Sequence, residues 1–470
     1  MNLVQLLLRS ARWLPERPAL ALGSAPVRSY RQMAQRVSRL STGLKDNLGL
    51  KPADRVALAM KNCPEFYELL FACWHAGMTA VPMNAKLHAK EFAYILENSG
   101  AKVCFVSPEL AAAIPSGIAM DENLLMDEAV PAEVKPDDPA WLFYTSGTTG
   151  VPKGAVLTHR NMLFQTQAYF ADIDRLAPTD AALHPAPLSH GSGLYGLPHF
   201  AAGAVNVIPE SGQFDPVEIF ELLERWPGAS FFAAPTMIVR LLASPAARSP
   251  RGLKTITYGG APMYVADCLR AIELFGPRLY QLFGQGEAPM TITGLSQALH
   301  NREFAEKLST CGIARTGVEV KIFDDADREL PPGELGEIVT RSDCVMAGYW
   351  EDPQATAKTL SGGWLHTGDL GSLDAEGFLT IRDRSKDMII SGGSNIYPRE
   401  IEEVLLRHPA VAECSVVGRR HPEWGEEVVA FVVARSTVPR EELDQLCLDN
   451  IEGGARPALP RQHRALQAPA

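Results

Sequence analysis

Residues 142–156 read Leu142-Phe-Tyr-Thr145-Ser146-Gly147-Thr148-Thr149-Gly150-Val-Pro-Lys153-Gly-Ala-Val156. An apolar segment leads into this glycine-rich turn and a second one leaves it, which predicts two strands joined by a loop. The glycines let the backbone approach a phosphate chain, the hydroxyl groups supply hydrogen-bond donors, and Lys153 adds a positive charge. A Walker A loop is excluded, because Pro152 and Gly154 stand where that motif requires Gly and Ser or Thr. The alternative, a Gly/Thr hairpin with a solvated lysine, does not account for so many specified residues.

Helix and strand signals alternate on the N-terminal side of this loop. Ser29 is expected to cap a helix that Gly49 closes, and Gly77 and Gly100 are expected to end two later helices. The expected order is helix 30–48, strand 55–60, helix 64–76, strand 79–83, helix 90–98 and strand 102–107. This rhythm predicts parallel βαβ units with helices on both faces of a sheet. A short amphipathic helix near residues 3–8 is expected to pack on the body.

Composition limits the possible functions. The chain has 470 residues, of which 46% are hydrophobic and 21% charged, with a formal net charge of −11. This acidic balance argues against non-specific nucleic-acid binding and against an anionic membrane face. The eight cysteines are scattered without a CxxC pair, which predicts reduced, mostly buried thiols in a cytoplasmic protein. No apolar run reaches the ~20 residues of a membrane span, so no integral membrane segment is expected.

The loop at Thr145–Gly154 resembles the signature loop of the adenylate-forming superfamily, which comprises acyl- and aryl-CoA synthetases, peptide-synthetase adenylation domains and luciferases. Five further segments resemble motifs of that family in the same order. They are Tyr258-Gly-Gly-Ala-Pro262, Tyr280-Gln-Leu-Phe-Gly-Gln-Gly-Glu287, Gly363-Trp-Leu-His-Thr-Gly-Asp369, Asp383-Arg384-Ser-Lys386-Asp387 and Ser391-Gly-Gly-Ser-Asn-Ile-Tyr-Pro-Arg-Glu-Ile-Glu-Glu403. The similarity extends from residue 1 to about residue 450.

The resemblance implies an α/β fold with a large N-terminal domain of stacked sheets and helices, followed by a small mobile α+β domain. The expected boundaries are 1–383 for the AMP-binding domain, 384–450 for the swinging domain and 451–470 for an atypical tail. The charged cluster at 382–387 is expected to be the linker.

The resemblance also implies which residues bind ATP, Mg²⁺ and coenzyme A. Glu287 would hold Mg²⁺, Asp369 would accept both ribose hydroxyls, and Lys386 would be the pivot of the small domain. The catalytic residues would be Thr145, Lys153, Glu287 and His190. The phosphates would be bound by Thr145, Ser146, Gly147, Thr148, Thr149, Gly150 and Lys153, and adenine would lie beside Gly259, Gly260 and Ala261. The ribose would be contacted by Asp369, Ile381 and Arg384, and the pantetheine by Gly392 and Gly393. The remaining residues expected to contact the nucleotide or CoA are Phe283, Gly284, Gln285 and Lys386.

The chain departs from the family pattern at two places. Gly286 stands where the family has Thr before the magnesium glutamate, so one hydroxyl contact to AMP is expected to be absent. Lys386 is the last lysine of the chain, whereas the family places a further lysine near its C-terminus, beside the α-phosphate and the carboxylate. A frame shift or truncation at about Ile451 is the hypothesis for this departure. Loss of a cation aimed at developing charge costs roughly 10²–10³ in rate, so slower adenylation is expected.

The acid is expected to be apolar. Residues 187–198 resemble the acyl-pocket loop of the family and place His190 beside the carboxylate. No Asp or Glu occurs in 187–203 or in 231–236, so an α-ammonium group would have no counter-ion there.

We therefore expect an ATP-dependent acid–CoA ligase that converts a fatty or aromatic carboxylic acid through acyl-AMP into acyl-CoA. Two alternatives stay open at this point. One is a non-catalytic protein that binds a nucleotide or an acyl-adenylate, and the other is an adenylation enzyme that loads a carrier protein.

Overall fold

The computed structural model describes residues 1–145, 151–261, 263–384, 389–391, 394–421 and 425–450. The α-helices of this part of the chain are α1 (Val4–Trp13), α2 (Tyr30–Asp46), α3 (Pro64–His75), α4 (Ala89–Ser99), α5 (His159–Asp172), α6 (Gly191–Ala202), α7 (Pro216–Arg225), α8 (Pro235–Leu242), α9 (Val265–Phe275), α10 (Pro353–Thr359), α11 (Pro398–Leu405) and α12 (Arg440–Asn450). Short 3-10 helices occupy Pro108–Leu110, Glu122–Leu124, Gln297–Leu299, Arg302–Ser309 and Ser361–Gly363.

The strands form four sheets. Their bounds are β1 (Pro18–Leu22), β2 (Ala25–Ser29), β3 (Arg55–Ala59), β4 (Thr79–Met83), β5 (Val103–Val106), β6 (Pro139–Thr145), β7 (Lys153–Thr158), β8 (Ala181–Leu183), β9 (Val205–Ile208), β10 (Ala229–Ala233), β11 (Leu253–Tyr258), β12 (Leu279–Gln285), β13 (Ala288–Leu295), β14 (Ile313–Ala314), β15 (Glu319–Phe323), β16 (Gly336–Arg341), β17 (Leu365–Leu373), β18 (Leu379–Arg384), β19 (Ile389–Ser391), β20 (Ser394–Ile396), β21 (Val411–His421) and β22 (Gly425–Ala434).

The largest sheet has the order β14-β13-β12-β11-β10-β8-β9-β1-β2. Its six central strands, from β12 to β1, are parallel to their neighbours, whereas the outer pairs are antiparallel. Parallel strands are buried between helices on both faces, which explains their continuous apolar runs. The carboxyl ends of β10, β11 and β12 therefore lie at one edge of the sheet.

The five-stranded sheet β5-β3-β4-β6-β7 contains the predicted βαβ units. Strands β3, β4 and β5 are parallel, with α3 and α4 as the connecting helices. The capping residues predicted from the sequence occur at or near the ends of the helices. Ser29 caps α2 by accepting from the Gln32 N–H, and Gly100 ends α4 in the left-handed region at φ 60°. Helix α2 ends at Asp46 with Asn47 as its C-cap, and Gly49, which is left-handed at φ 67°, follows two residues later.

One hydrophobic core joins the two large sheets. It contains the buried faces of α1, α2, α3 and α6 together with residues from both sheets. Phe200 of α6 makes edge-to-face contacts with Tyr67 and Phe71 of α3, at ring-centroid distances of 5.0 and 4.9 Å. The predicted packing of the first helix is confirmed, because Val4, Leu6 and Leu7 of α1 are buried in this core. Helix α6 is thereby fixed between the sheets.

The charged cluster 382–387 is only partly a connection between domains. Its first three residues extend β18 to Arg384, which pairs in register with Asp369 of β17. Ser385, Lys386 and Asp387 lie outside the described residues. Beyond them, the sheet β20-β19-β22-β21 packs with α11 and α12 around a separate core that includes Ile401, Leu405 and Val411. The small α+β unit predicted from the sequence is therefore present.

Candidate functional site

The site forms where three parallel strands end. Ala233 ends β10, Gly259 follows β11, and Gln285 ends β12. The Gly259 N–H donates to the Ala233 carbonyl at 3.4 Å, which ties two of these ends together. Ligands bind at such carboxyl edges because the loops there diverge and leave a crevice. The motifs predicted from the sequence thus converge at one edge of the largest sheet.

Glu287 is the carboxylate at the centre of this edge. Its residue is 9% exposed, and its Oε1 lies 3.4 Å from the Thr145 hydroxyl. Mg²⁺ in nucleotide sites takes one or two carboxylates and completes its shell with water and phosphate oxygens. A buried carboxylate beside a hydroxyl at the end of a phosphate-type loop fits this requirement. Glu287 and Thr145 would therefore hold the ion, and the ion would supply charge neutralisation for ATP.

Tyr349 is a site residue that the sequence analysis missed. Its hydroxyl donates to Glu287 Oε1 at 2.6 Å, and its ring lies 5.2 Å from the Lys153 ammonium. Burial, reinforced by the Glu287 charge, raises the pKa of Tyr349, so the hydroxyl keeps its proton and acts as a donor. The only local sequence feature that could have pointed to Tyr349 is that an aromatic residue follows Gly348. It carries no chemistry without the tertiary contact to Glu287.

Lys153 is placed to reach a phosphate chain. It is paired with Thr145 across β6 and β7, and its Nζ lies 4.0 Å from Asp352 Oδ2. This ion pair is half-exposed and therefore weak, so an anionic ligand can replace it. The intervening residues Ser146, Gly147, Thr148, Thr149 and Gly150 lie outside the described residues, and their phosphate-binding role stays a prediction.

The predicted ribose carboxylate is held in position by a neighbour of Glu287. Gln285 Nε2 donates to Asp369 Oδ2 at 2.6 Å and to the Thr367 carbonyl at 2.8 Å. Asp369 is 5% exposed, and its N–H donates to the Thr367 hydroxyl at 3.1 Å. Gln285 and Glu287 belong to one turn, so the Asp369 and Glu287 carboxylates are fixed relative to each other. Arg384 lies opposite Asp369 in the ladder, but its side chain is outside the described residues.

The residues predicted to lie beside adenine include backbone that is open to a ligand. A Cβ at Gly259 would lie within 3.0 Å of the Leu282 carbonyl, so this position accepts only glycine. Gly260 has φ +82° and open space where a side chain would project, and Ala261 is exposed. A flat base can approach such a backbone closely. Phe283 and Gly284 lie next to it at the end of β12, which is consistent with the predicted nucleotide contact.

His190 caps α6 at the same edge. Its ring packs edge-to-face on Phe143 at 5.2 Å, and its Nδ1 lies 2.9 Å from the Ser189 hydroxyl. Burial lowers the pKa of His190, so the imidazole is neutral at pH 7. A neutral ring beside the phosphate-type loop can orient a carboxylate by hydrogen bonding.

Gly286 has a steric reason for departing from the family pattern. A Cβ at this position would lie within 3.0 Å of Thr145 Cγ2 and 2.9 Å from Phe143 Cδ1. The methyl group of Thr145 and the Phe143 ring already occupy the space that a threonine side chain would need.

The small domain contacts the body through α11. Arg399 donates to the Ile381 carbonyl at 3.0 Å, and the Tyr264 hydroxyl donates to Glu402 Oε2 at 2.9 Å. Ile381, predicted at the nucleotide, therefore anchors α11 through its backbone. The sequence analysis quoted Arg399 without assigning it a role. Lys386, Gly392 and Gly393 lie outside the described residues, so the pivot and the pantetheine channel stay predictions.

Comparisons with known proteins agree with this geometry. The model of the AMP-binding enzyme family matches residues 7–350, and that of the AMP-binding enzyme C-terminal domain matches residues 400–462. The chain therefore belongs to the AMP-binding enzyme family of adenylate-forming proteins. The second match continues past Ile451, where the sequence analysis placed the departure from the family pattern.

The relatives include acid–CoA ligases and a fatty acid–acyl-carrier-protein ligase of Streptomyces coeruleorubidus, which is 36% identical over 461 residues and covers 92% of this chain and 86% of the relative. A feruloyl-CoA synthase of Amycolatopsis sp is 37% identical over 437 residues, covering 90% of this chain and 87% of the relative. A medium/long-chain-fatty-acid–CoA ligase of Mycobacterium tuberculosis is 31% identical over 484 residues, covering 96% and 83%. The structure of o-succinylbenzoate CoA synthetase of Bacillus subtilis with its acyl-adenylate intermediate matches with a TM-score of 0.87 and 31% identity, covering 97% of this chain and 94% of that one.

Three further observations concern the described residues. Their cysteines, which include all eight of the chain, are free, and six are buried. No cluster of three or more His, Cys, Asp or Glu side chains suited to a metal occurs in the described ranges. None of the helices described is long and apolar enough to cross a bilayer.

Proposed function

We propose that this chain is an ATP-dependent acid–CoA ligase whose two reactions occur at the edge formed by β10, β11 and β12. A carboxylate oxygen attacks the α-phosphorus of ATP and pyrophosphate leaves. The CoA thiolate then attacks the acyl carbon and AMP leaves. Family members of this class use ATP, Mg²⁺ and coenzyme A, and the charge-neutralising groups at this edge suit a reaction between two anions.

One observation carries this proposal. At the turn that ends β12, Gln285 donates to the Asp369 carboxylate, and two residues later the Glu287 carboxylate accepts from the Thr145 hydroxyl. In the proposed roles, Asp369 accepts from the ribose hydroxyls, Glu287 and Thr145 bind Mg²⁺, and Lys153 binds phosphate. His190 orients the carboxylate of the acid.

The acid is proposed to be fatty or aromatic. The walls after His190 and along β10 contain no carboxylate, and residues such as Phe231 and Leu194 are buried there. An ammonium group in that pocket would lack a counter-ion. The named acids of the relatives, ferulate, fatty acids and succinylbenzoate, are all without an α-amino group, which supports the same class.

The test measures both half-reactions. A panel of carboxylic acids is assayed for acid-dependent ATP–pyrophosphate exchange and for CoA thioester formation, and synthetic acyl-AMP is offered with CoA alone. We expect at least one acid to support both reactions. We expect Glu287→Gln to lower the exchange rate by about 10²–10³ because the metal carboxylate is lost.

Matched variants sharpen this test. Tyr349→Phe removes the hydrogen bond to Glu287 and should raise the Mg²⁺ concentration needed for half-maximal exchange by about three- to tenfold. Tyr30→Phe removes a buried hydrogen bond of the same 2.6 Å length, to the Ala204 carbonyl, and should leave that concentration unchanged. Absence of exchange and of transfer from acyl-AMP with every acid would refute the proposal. Transfer to a carrier-protein thiol in preference to CoA would favour the carrier-loading alternative.

A further inference from the structure

A small cavity lies between the largest sheet and the helices α5 and α6. Tyr169 of α5, Tyr195 and His199 of α6, and Ser230 of β10 line it, with Phe232 of β10 at its margin. The centre of a water-sized sphere can occupy about 10 Å³ of it. This is room for about one oxygen atom with its hydrogen. The cavity is therefore of the size of a single hydroxyl group.

Three buried polar atoms at this cavity make no hydrogen bond of normal length, although the Tyr169 and Ser230 hydroxyls are close enough to interact. They are the Tyr169 hydroxyl, the Ser230 hydroxyl and His199 Nε2, on residues that are 0%, 2% and 1% exposed. Each buried polar atom without a partner costs about 1–3 kcal/mol. Three of them lining one cavity indicate a place built for a polar ligand atom.

The tautomer of His199 determines which hydrogen-bonding group the ligand must present to the cavity. Its Nδ1–H donates to the Tyr195 carbonyl at 2.8 Å, and burial lowers the pKa of the ring to about 4. The neutral ring then presents Nε2 to the cavity as an acceptor without a proton. Tyr169 and Ser230 carry hydroxyl groups that can donate. A ligand hydroxyl satisfies all three, because it donates one hydrogen bond and accepts two.

A charged group does not fit. The guanidinium of Arg315 is already bonded to Asp172 at 3.0 Å and to the Met290 and Ala168 carbonyls, and among the residues that line the cavity it donates to the Tyr195 hydroxyl at 3.4 Å. A carboxylate in the cavity would meet the His199 lone pair and no free cation among the described residues. Burial of such an uncompensated charge is costly. A methyl group would leave the three polar atoms unsatisfied.

The cavity lies on the acyl side of the candidate site. Helix α6 starts immediately after His190, and Tyr195 and His199 follow roughly 7 and 13 Å further along its axis. At the margin, a Cβ on Gly191 would lie 3.4 Å from the Phe232 ring and 2.7 Å from Met290 Sδ. The Met290 side chain is unbranched and adapts readily to a ligand. A ring placed between His190 and the cavity would thus contact Phe232 and Met290.

We propose that this cavity binds the distal hydroxyl of a hydroxylated aromatic carboxylic acid whose ring lies against Phe232. The inference rests on the proposed function and specifies its substrate. The aromatic class follows from the surroundings: Tyr169 makes edge-to-face contacts with Tyr195 at 5.1 Å and with His199 at 5.6 Å, a setting that favours another ring.

The experiment compares three acids that differ at one position: 4-hydroxycinnamate, 4-methylcinnamate and cinnamate. We expect kcat/KM for CoA thioester formation to be at least about tenfold higher with the hydroxyl than with the methyl group, because the methyl leaves buried polar atoms unpaired. We expect the Kd for the free protein, measured by calorimetry, to be lowest for 4-hydroxycinnamate and higher for 4-methylcinnamate and cinnamate.

Variants of the residues that line the cavity test which side chains recognise the hydroxyl group of the acid. Tyr169→Phe and Ser230→Ala should each lower the hydroxyl-to-methyl ratio by about three- to tenfold, since each removes one hydrogen bond. Tyr169→Phe keeps the ring contacts, and melting temperatures establish that the variants are folded. Ser41→Ala removes a buried hydroxyl that donates to the Ser38 carbonyl at 2.7 Å, at a residue that does not line the cavity, and should leave the ratio unchanged.

The inference fails if the wild-type ratio is near one in both kcat/KM and Kd, or if neither cavity variant changes it. The three polar atoms would then form hydrogen bonds to a bound water molecule. Turnover of other acids together with such a ratio would leave the proposed function intact. Selective binding of 4-hydroxycinnamate without any exchange or thioester would instead support the cavity and contradict the ligase.

Discussion

At the scale of single residues, the site depends on contacts of Glu287 with hydroxyl groups from distant parts of the chain. Thr145 lies 142 positions before it and Tyr349 62 positions after it. Both hydroxyls hold the same carboxylate oxygen, which leaves the second oxygen for a metal ion. The neighbouring Gly286 is part of this arrangement, because Thr145 and Phe143 fill the space beside it.

A substitution at Gly286 tests this steric relation. Gly286→Ala adds a Cβ within 3.0 Å of Thr145 Cγ2 and should lower acid-dependent pyrophosphate exchange by about tenfold, since Thr145 is displaced from Glu287. Thr145→Ser keeps the hydroxyl and removes the methyl. The double variant should therefore recover part of the lost rate, as measured by a double-mutant cycle. Simple additivity of the two changes would show that the residues do not compete for space.

At the scale of elements, two helices position the chemistry. Helix α6 is clamped between the sheets by Phe200, so the residues along it define a fixed acyl side of the site. Helix α11 is the described helix that holds the small domain against β18 and α9, through Arg399 and Tyr264. Helix α6 thus borders the proposed acid pocket, and α11 makes the contact between the small domain and the body.

The Arg399 contact predicts the local stability of α11. Arg399→Ala removes the bond to the Ile381 carbonyl, and hydrogen bonds from charged groups contribute about 1.5–3 kcal/mol. We expect faster hydrogen–deuterium exchange in α11 and in the end of β18, with exchange in the strands β3 and β4 unchanged. Arg435→Ala is a suitable control, because Arg435 donates to the Val411 carbonyl within the small domain itself. Equal exchange in wild type and Arg399→Ala would show that this bond does not hold the helix.

At the scale of the whole molecule, buried neutral histidines link folding to pH. Burial lowers the pKa of His184 to about 3 and the pKa values of His199 and His300 to about 4. In the unfolded chain each is near 6.5. Between these values the unfolded state binds more protons, so stability is full above about pH 6.5 and falls as the pH falls toward 4.

This linkage predicts a lower melting temperature at pH 5 than at pH 7. Each of the three histidines should contribute about 2 kcal/mol to the difference in the free energy of unfolding. His300→Gln replaces a ring that accepts from the Tyr258 hydroxyl at 2.9 Å, and it removes one titrating group. The variant should be less stable at pH 7 and show a smaller loss on acidification. An unchanged pH dependence in this variant would contradict the assignment.

Sequence alone determined the local structure and the family. The cap at Ser29, the left-handed Gly100 and the strand Thr79–Met83 were predicted, because each depends on residues a few positions apart and on backbone sterics. The convergence of the motifs was also implied, since chemistry that joins ATP to an acid requires those groups together. The structure places Thr145, Lys153, Glu287, Asp369 and His190 at one edge.

Only the tertiary structure decided which distant groups touch. The contact of Tyr349 with Glu287, the steric reason for Gly286, the extension of β18 to Arg384 and the polar cavity of Tyr169, His199 and Ser230 arise from packing between elements far apart in the chain. No periodicity or spacing encodes such contacts, because they depend on how whole helices and sheets are placed against each other.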